Sequence, residues 1–444
     1  FLGNFNSISI DKSSTIVKFS PEIFSNVLKN VPSFFKLHGQ DKKTNIEIGN
    51  KNFHLINGHC AAFFNDFLHN KRRRILKNEV EKFAILSDYL ENIGIVGIEG
   101  LPEDIDEEKM SFIEGARLTL SSILKPFHYT PEHIFEDEGV KEIVRIITEF
   151  KDLSTNPSII CMVVNLSPLA WPDEIAEILL KNSFEGIPIT IMTAPYSGVS
   201  APYTLAGQVV LFNAEILSGI AINQLARPGC PVVYGCSCTT FDMNKSTVNI
   251  ATPEAAVMRI AAAQMAGHYN IPSMTSAPDT DSNCFDEQNG WEKMMTAFTS
   301  YASGTNLIVN AGLFSTGTEV SYGQLIIDSE ITGYVKRILR GIKVDSKRLA
   351  VDEIKDIGPL GNFLLTKNTL EYLRKDEHFK PIVSSRKMHS LWEKQGSLTV
   401  NEKAHKEALK ILKIHKPSYV DNEKIKEIKK LIKNIKVKHR DNSY

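Results

Sequence analysis

Apolar residues in this chain fall into short continuous runs, and longer stretches of helical periodicity separate them. The runs lie at 93–98, 126–129, 159–166, 189–194, 231–235, 273–276 and 307–311. Each is short enough for a strand, and most are apolar on both alternating faces, as expected for strands buried on two sides. Between them, apolar positions recur every three or four residues over 107–124, 131–150, 173–183, 204–225, 253–269, 290–303 and 321–340, which predicts helices. Two helix starts carry their own signals: Thr252-Pro253-Glu254 and Trp171-Pro172-Asp173-Glu174 place proline and an early acid at the first turn. Strands and helices alternating at roughly 30 to 40 residues per unit read as βαβ units with parallel strands. Seven units are clear and an eighth is irregular, which favours a closed (β/α)₈ TIM barrel over an open doubly wound sheet. No GxGxxG or GxxxxGK[ST] pattern follows any of the runs, so dinucleotide and P-loop readings lose their usual support.

The rhythm is absent at the two ends. Residues 1–92 are irregular, with alternating pieces near 46–53 and a predicted helix from Ala61 through Lys71-Arg72-Arg73-Arg74 to Leu90. They are expected to form an N-terminal segment packed on a barrel core of 93–348. Residues 349–444 become polar and helical and read as a C-terminal extension. Its Lys-rich end, 424–440, carries Ile425, Ile428, Leu431, Ile432 and Ile435 at helical spacing. That pattern fits an amphipathic helix packed inward, or a basic face for an acidic partner.

Composition narrows the class without changing the fold. The chain has 444 residues, 42% hydrophobic and 23% charged, with a net charge of −1. These values suit a folded globular protein and argue against nucleic acid as a partner. No apolar run reaches the roughly 18 to 20 residues of a membrane span and no signal segment is visible, so the expected setting is the cytoplasm, away from membranes. Six cysteines are too few for a disulfide framework at this length and read as reduced thiols. Cys236-Ser-Cys238, with Cys230 and His268, lacks the remaining spacing of a zinc site, so no metal is expected. No Ser/His/Asp relay or activated cysteine can be read, and no catalytic residue is assigned.

Charge is uneven in one place. Residues 260–335 contain eight carboxylates, Asp279, Asp281, Asp286, Glu287, Glu292, Glu319, Asp328 and Glu330, against the single basic residue Lys293. A cavity walled by such a stretch would suit a cationic ligand. In a parallel barrel, ligand contacts come from the C-terminal strand ends and the loops after them. That rule selects Asn165, Ser167, Thr193, Tyr196, Tyr234, Ser237, Ser276, Asp279, Asn310, Gly312 and Phe314. The aromatics among them either face a cation or pack in the core, and Asp279 and Asp281 either serve a site or close a turn.

The blocks APYTLAGQVVLFNAEILSGIAINQLARPGCPVVYG (201–235), TPEAAVMRIAAAQMAGHYNIPS (252–273), SYGQLIIDSEITGYVKRILRGI (321–342), GPLGNFLL (358–365) and RKMHSLWEKQG (386–396) occur in one order. Together they resemble the trimethylamine methyltransferase family from about Gly94 to Pro417. The resemblance implies a TIM barrel that moves a methyl group from a methylated amine to the Co(I) of a corrinoid. That cofactor is carried by a separate corrinoid protein, so this chain binds none itself. Members that use trimethylamine carry pyrrolysine in the barrel, whereas members without it act on quaternary amines such as glycine betaine. This chain has neither a nonstandard residue nor a lysine between Lys293 and Lys336. It therefore resembles the quaternary-amine branch, the alternatives being a trimethylamine enzyme or a non-catalytic amine-binding protein. Gly323 departs from the family, which more commonly has Glu after Ser-Tyr.

What the resemblance implies for residues is specific. The quaternary ammonium would lie against Tyr196, Tyr234 or Phe314, with Asp279 or Glu319 supplying long-range attraction. Arg227 would meet a substrate carboxylate or else cap a helix end, and Gly312, Ser315 and Gly317 would frame the corrinoid's approach. Apart from the resemblance, the apolar, small-residue-rich stretches Leu205 to Leu225 and Ala255 to Met265 could bury surface against another layer, which suggests a homo-oligomer.

Overall fold

The structure is a computed structural model that describes residues 2–441 apart from residues 6, 70, 151 and 376. Eight parallel strands close a barrel in chain order: β1 (His54–Asn57), β2 (Ile93–Gly97), β3 (Phe127–Tyr129), β4 (Ile159–Val164), β5 (Ile189–Thr193), β6 (Val232–Cys236), β7 (Ser273–Ser276) and β8 (Leu307–Ala311). Parallel pairing runs around the whole ring, with register shifts on both sides of β1, and Leu307 opposite His54 with Val309 opposite Ile56 closes β8 on β1. The outer layer is α1 (Lys77–Tyr89), α2 (Ser111–Leu120), α3 (Ile134–Thr148), α4 (Asp173–Glu185), α5 (Leu205–Ala226), α6 (Pro253–Tyr269), α7 (Glu287–Ala302) and α8 (Tyr322–Leu339). The TIM barrel and all seven helices expected from periodicity are present. Thr252 caps α6 by accepting from the Ala255 N–H, whereas Pro172 starts α4 with no side-chain cap.

Two corrections concern the first 92 residues. The barrel starts at His54, not at 93, because a four-residue strand with polar ends carries too weak an apolar signal beside the longer runs. The helix expected from Ala61 begins only at Lys77; before it Phe63–Asp66 and Lys71–Arg74 pair as an antiparallel hairpin. Four adjacent cations on a helix would repel, whereas extended backbone sends them to different partners. Arg72 pairs with Glu319 at 2.7 Å, Arg73 with Glu79 at 3.1 Å and Arg74 with Glu103 at 3.0 Å. The Arg72 guanidinium also lies 3.4 Å from the Phe63 ring centroid.

Strand alternation makes two apolar layers. Ile56, Ile95, Ile160, Met162, Met192, Val233, Met274 and Val309 fill the barrel, and Phe35, Leu37 and Ile48 of a hairpin join them. That hairpin, Phe34–Leu37 with Ile46–Gly49, seals the N-terminal end of the strands, where the His38 N–H donates to the Pro157 carbonyl just before β4. The alternate residues, including Tyr129, Cys161, Ile191 and Tyr234, pack between barrel and helices. Two further helices, α9 (Val400–Ile414) and α10 (Asn422–Asp441), return to the barrel's outside. The first packs on α8 and α1, the second on α3 and α2. In α10, Ile428 and Ile432 are buried and Ile425, Leu431 and Ile435 lie against the core, while side chains beyond Val437 lie outside the described residues. Helix α5 is long and apolar enough to cross a membrane, yet it packs on β5 and β6.

Candidate functional site

The C-terminal strand ends form a mouth with two unlike halves. Over β1–β4 it opens into a cleft of about 1890 Å³. His59 and Cys60 after β1, Leu101 and 107–112 after β2, Thr130 to Glu136 after β3 and Val164 of β4 line it, joined by Glu174, Ile175 and Lys436. Glu107, Glu108, Glu132, Glu136 and Glu174 outweigh Lys109 and Lys436, so the cleft is acidic.

Several buried polar atoms on β3 and just beyond β2 to β4 lack hydrogen-bond partners: Thr130 Oγ1 in this wall, His128 Nε2, Glu99 Oε1 and both side-chain ends of Asn165. Buried polar groups are nearly always paired, so these atoms are candidates for contact with a ligand or water. Asn57 Nδ2 donates to Glu99 Oε2 at 2.6 Å and to the Gly97 carbonyl at 3.2 Å, and its Oδ1 accepts from the Gly97 N–H. Burial pushes the Glu99 carboxyl up to about 8, above what the Asn57 donor and the more distant Lys293 restore. Burial pulls His128 down to about 3 and His59 down to about 4, so both rings are neutral at physiological pH, with centroids 6.3 Å apart. Cys60 is pushed up to about 12 by burial and then by neighbouring glutamates, which leaves it a thiol rather than a nucleophile.

Over β5–β8 the mouth is sealed by paired groups. Glu215 of α5 accepts from Ser167 Oγ at 2.9 Å, from the Leu169 N–H at 2.9 Å and from Thr193 Oγ1. Ser237 and Ser276 bond to each other across β6 and β7. Asp279 pairs with Arg259 at 2.9 Å and accepts from Asn310 Nδ2 at 2.9 Å. Lys293 and Asp328 form a fully buried pair at 2.8 Å, and Asp328 also accepts from the Gly312 N–H at 2.7 Å.

The residues expected from sequence therefore separate. Tyr234 is wholly buried on the outward side of β6, where its hydroxyl donates to Asn213 of α5 at 2.8 Å; it faces helices, not a ligand. Arg227 ends α5 at the opposite end of the barrel and donates to the Phe184 carbonyl, which makes it the helix-end residue of the two alternatives. Asp279 and Glu319 are neutralised by Arg259 and Arg72, so neither supplies free attraction. Arg259 stands one position outside the acidic window that had seemed almost free of cations. Other acids of that window are also engaged: Asp281 accepts from the Ile250 and Ala251 N–H groups, and Glu330 from those of Ile382, Val383 and Ser384. Phe314 is buried against Phe285 with centroids 5.2 Å apart. Tyr196 sits half-buried in the loop after β5 and, like the others, does not line the cleft.

Gly312, Ser315 and Gly317 do lie in the loop after β8, all with positive φ. Only Gly312 reaches the open half, since a Cβ there would collide with Glu99 Oε1. Gly323 also has a steric cause, because the His405 ring of α9 occupies the space a side chain would need. Cys236 and Cys238 touch at 3.2 Å, and among the described residues no third ligand joins them in a group able to hold a metal. Asn165 stands at a strand end as expected from sequence, whereas Glu99 and His128, at the ends of β2 and β3, were missed; the same strand-end position is the signal that marks them.

Eight parallel strands closed in a ring with helices outside define a (β/α)₈-barrel protein, with an acidic cleft at the C-terminal ends of its strands. The family model described as Trimethylamine methyltransferase (MTTB) matches residues 7–439, and the chain belongs to this family of methyltransferases. It is 30% identical to the trimethylamine methyltransferase MttB of Methanosarcina barkeri (strain Fusaro / DSM 804), across 96% of this chain and 87% of that protein. It is equally 30% identical to a glycine betaine methyltransferase of Desulfitobacterium hafniense (strain Y51), across 92% of this chain and 85% of that protein. The solved monomethylamine methyltransferase (MtmB) of Methanosarcina barkeri is similar in fold, with a TM-score of 0.54 over 91% of this chain and 84% of that one at 12% identity.

Proposed function

We propose that this chain moves one methyl group from a quaternary amine of the glycine betaine kind to the Co(I) of a corrinoid carried by a separate protein. The observation that carries this reading is the cleft over β1–β4, acidic at its rim, together with the unpaired buried polar atoms on β3 and just beyond β2 to β4. At about 1890 Å³ it exceeds what a small amine fills, and leaves room above the amine for one face of a macrocycle. The glutamates at the rim draw in a cation, and the unpaired polar atoms orient it with one methyl group toward the opening.

The C–N bond breaks with its electron pair left on nitrogen, so a quaternary amine departs as a neutral tertiary amine and needs no proton. The corrinoid, when presented by its own protein, supplies the centre that accepts the methyl carbon. Residues of this chain have to bind, orient and exclude water, which fits a lumen whose two histidines are neutral. Lack of any lysine between Lys293 and Lys336 further supports a permanently charged substrate over a neutral amine.

The test combines the purified chain with a Co(I) corrinoid protein and follows methylcobalt formation by absorbance. Glycine betaine is expected to give methylcobalt and trimethylamine not. Binding of betaine without methylcobalt would overturn the enzymatic reading, and activity with trimethylamine alone would move the chain to the other branch.

A further inference from the structure

Among the described residues, Glu99 Oε1 is the buried carboxylate oxygen that lacks both a hydrogen bond and a cation. The other two buried carboxylate oxygens without hydrogen bonds face cations: Asp137 meets Lys141 and Asp279 meets Arg259, each at 2.9 Å. Its placement is built. Asn57 holds the second oxygen, and Gly58 and Gly312 bring bare backbone against the carboxyl so closely that a Cβ at either position would collide with it. Alternation along β2 from the lumen-facing Ile95 puts Gly97 on the lumen side, and Glu99 follows two residues beyond the strand's end. A Cβ on Gly97 would lie 3.1 Å from the Gly58 carbonyl oxygen and 3.6 Å from His128 Nδ1, so the backbone of β1 also packs closely here.

We propose that Glu99 is the acid that contacts the ammonium group of the substrate, and that binding a quaternary ammonium there expels one proton from Glu99 to solvent. This rests on the amine reading of the cleft given above. The exchange balances: a neutral carboxylic acid and a tetraalkylammonium ion become an ion pair and a free proton. Without ligand, burial keeps the carboxyl neutral, up to about 8, because a lone charge there would be desolvated. A permanent cation removes that penalty only if the proton leaves. Of the other titratable groups facing Glu99, His59, Cys60 and His128 hold their states between pH 5 and 9. His59 and Cys60 after β1 lie at about 4 and about 12, and His128 on β3 at about 3. Lys293 of α7 and Asp328 of α8 are closed on each other.

Calorimetry of the full chain with tetramethylammonium and with glycine betaine, in buffers of different ionisation enthalpy at pH 7, reads the proton count. About one proton released per ligand is expected, with affinity rising roughly tenfold per pH unit until the pH reaches about 8 and then levelling. Glu99→Gln is expected to bind at least about tenfold more weakly at pH 9, with no proton release and a flat pH profile. Binding without proton release, or release that survives in E99Q, would overturn this inference and leave the amine reading standing. No binding by either protein would overturn both.

A ligand-free control is independent of substrate. The folded carboxyl holds its proton more tightly than the unfolded one at 4.5, so its contribution is complete below 4.5 and is lost as pH rises to about 8. The wild type should lose stability across that window relative to E99Q; parallel curves would overturn the proposal. If E99Q does not fold, Glu99→Asp, which keeps the titration but withdraws the oxygen, should release a proton with weaker binding.

Discussion

Across one barrel mouth, two halves use the same kinds of side chain in opposite ways. Over β5–β8, Glu215, Asp279 and Asp328 are buried and each has a partner, either a cation or several donors. Over β1–β4, Glu99, His128 and Asn165 are just as buried and keep unpaired atoms. The paired half forgoes the ability to bind a ligand and gains a rigid frame. The unpaired half carries a desolvation cost in the empty protein that a ligand can relieve. On the proposed reading of the cleft, stability and function are separated by position within one ring of loops.

Removing a cation from the sealed half should show this most strongly. Lys293→Met leaves Asp328 buried and unpaired, with expected destabilisation of about 3–5 kcal/mol in chemical denaturation. A loss under about 1 kcal/mol would mean that the sealed half is not the frame. Next is Gly312→Ala, at the border of the halves, where φ of +94° and the approach of Glu99 both oppose a side chain. It should cost about 1–3 kcal/mol and also weaken amine binding; loss of stability with unchanged binding would detach Glu99 from the site. Asn165→Leu removes two unpaired polar atoms from the open half and should be neutral or stabilising by up to about 1 kcal/mol, while methyl transfer falls. Destabilisation with full activity would reverse the comparison. The smallest change is expected for Arg227→Ala at the far end of the barrel, within about 0.5 kcal/mol and without effect on activity.

Legibility in the sequence followed the same physical divide. Strands β2 to β8 are buried on both faces and most of them read as apolar runs, β7 (SMTS) being the polar exception, so the barrel could be recognised from them. Strand β1 could not, because its four residues are specified by pairing with β8 some 250 positions away, where Asn306 Nδ2 reaches the Asn52 carbonyl. The site was harder still. Counting acids along 260–335 measured charge but not pairing, and Arg259 and Arg72, outside the window, neutralise Asp279 and Glu319. Double-sided burial also hid which way β6 faces, so Tyr234 was equally placed to look inward or outward. Glu99 sits before an acidic loop, Glu103 to Glu108, and only its position at a strand end distinguishes it from those solvated neighbours.

The return of α10 to the outside of α3 has a temporal side. A Cβ on Gly139 of α3 would lie 3.3 Å from Ile435, and Lys436 forms part of the cleft wall. The surface it covers is made well before the helix that covers it. At roughly 5–20 residues per second, the open half emerges from the ribosome many seconds before this layer. During that interval Ile113 and its neighbours on α2 and α3 stay bare, and a chaperone or a premature neighbour can reach them. A ribosome stalled near residue 420 should therefore present a barrel that is closed but adhesive.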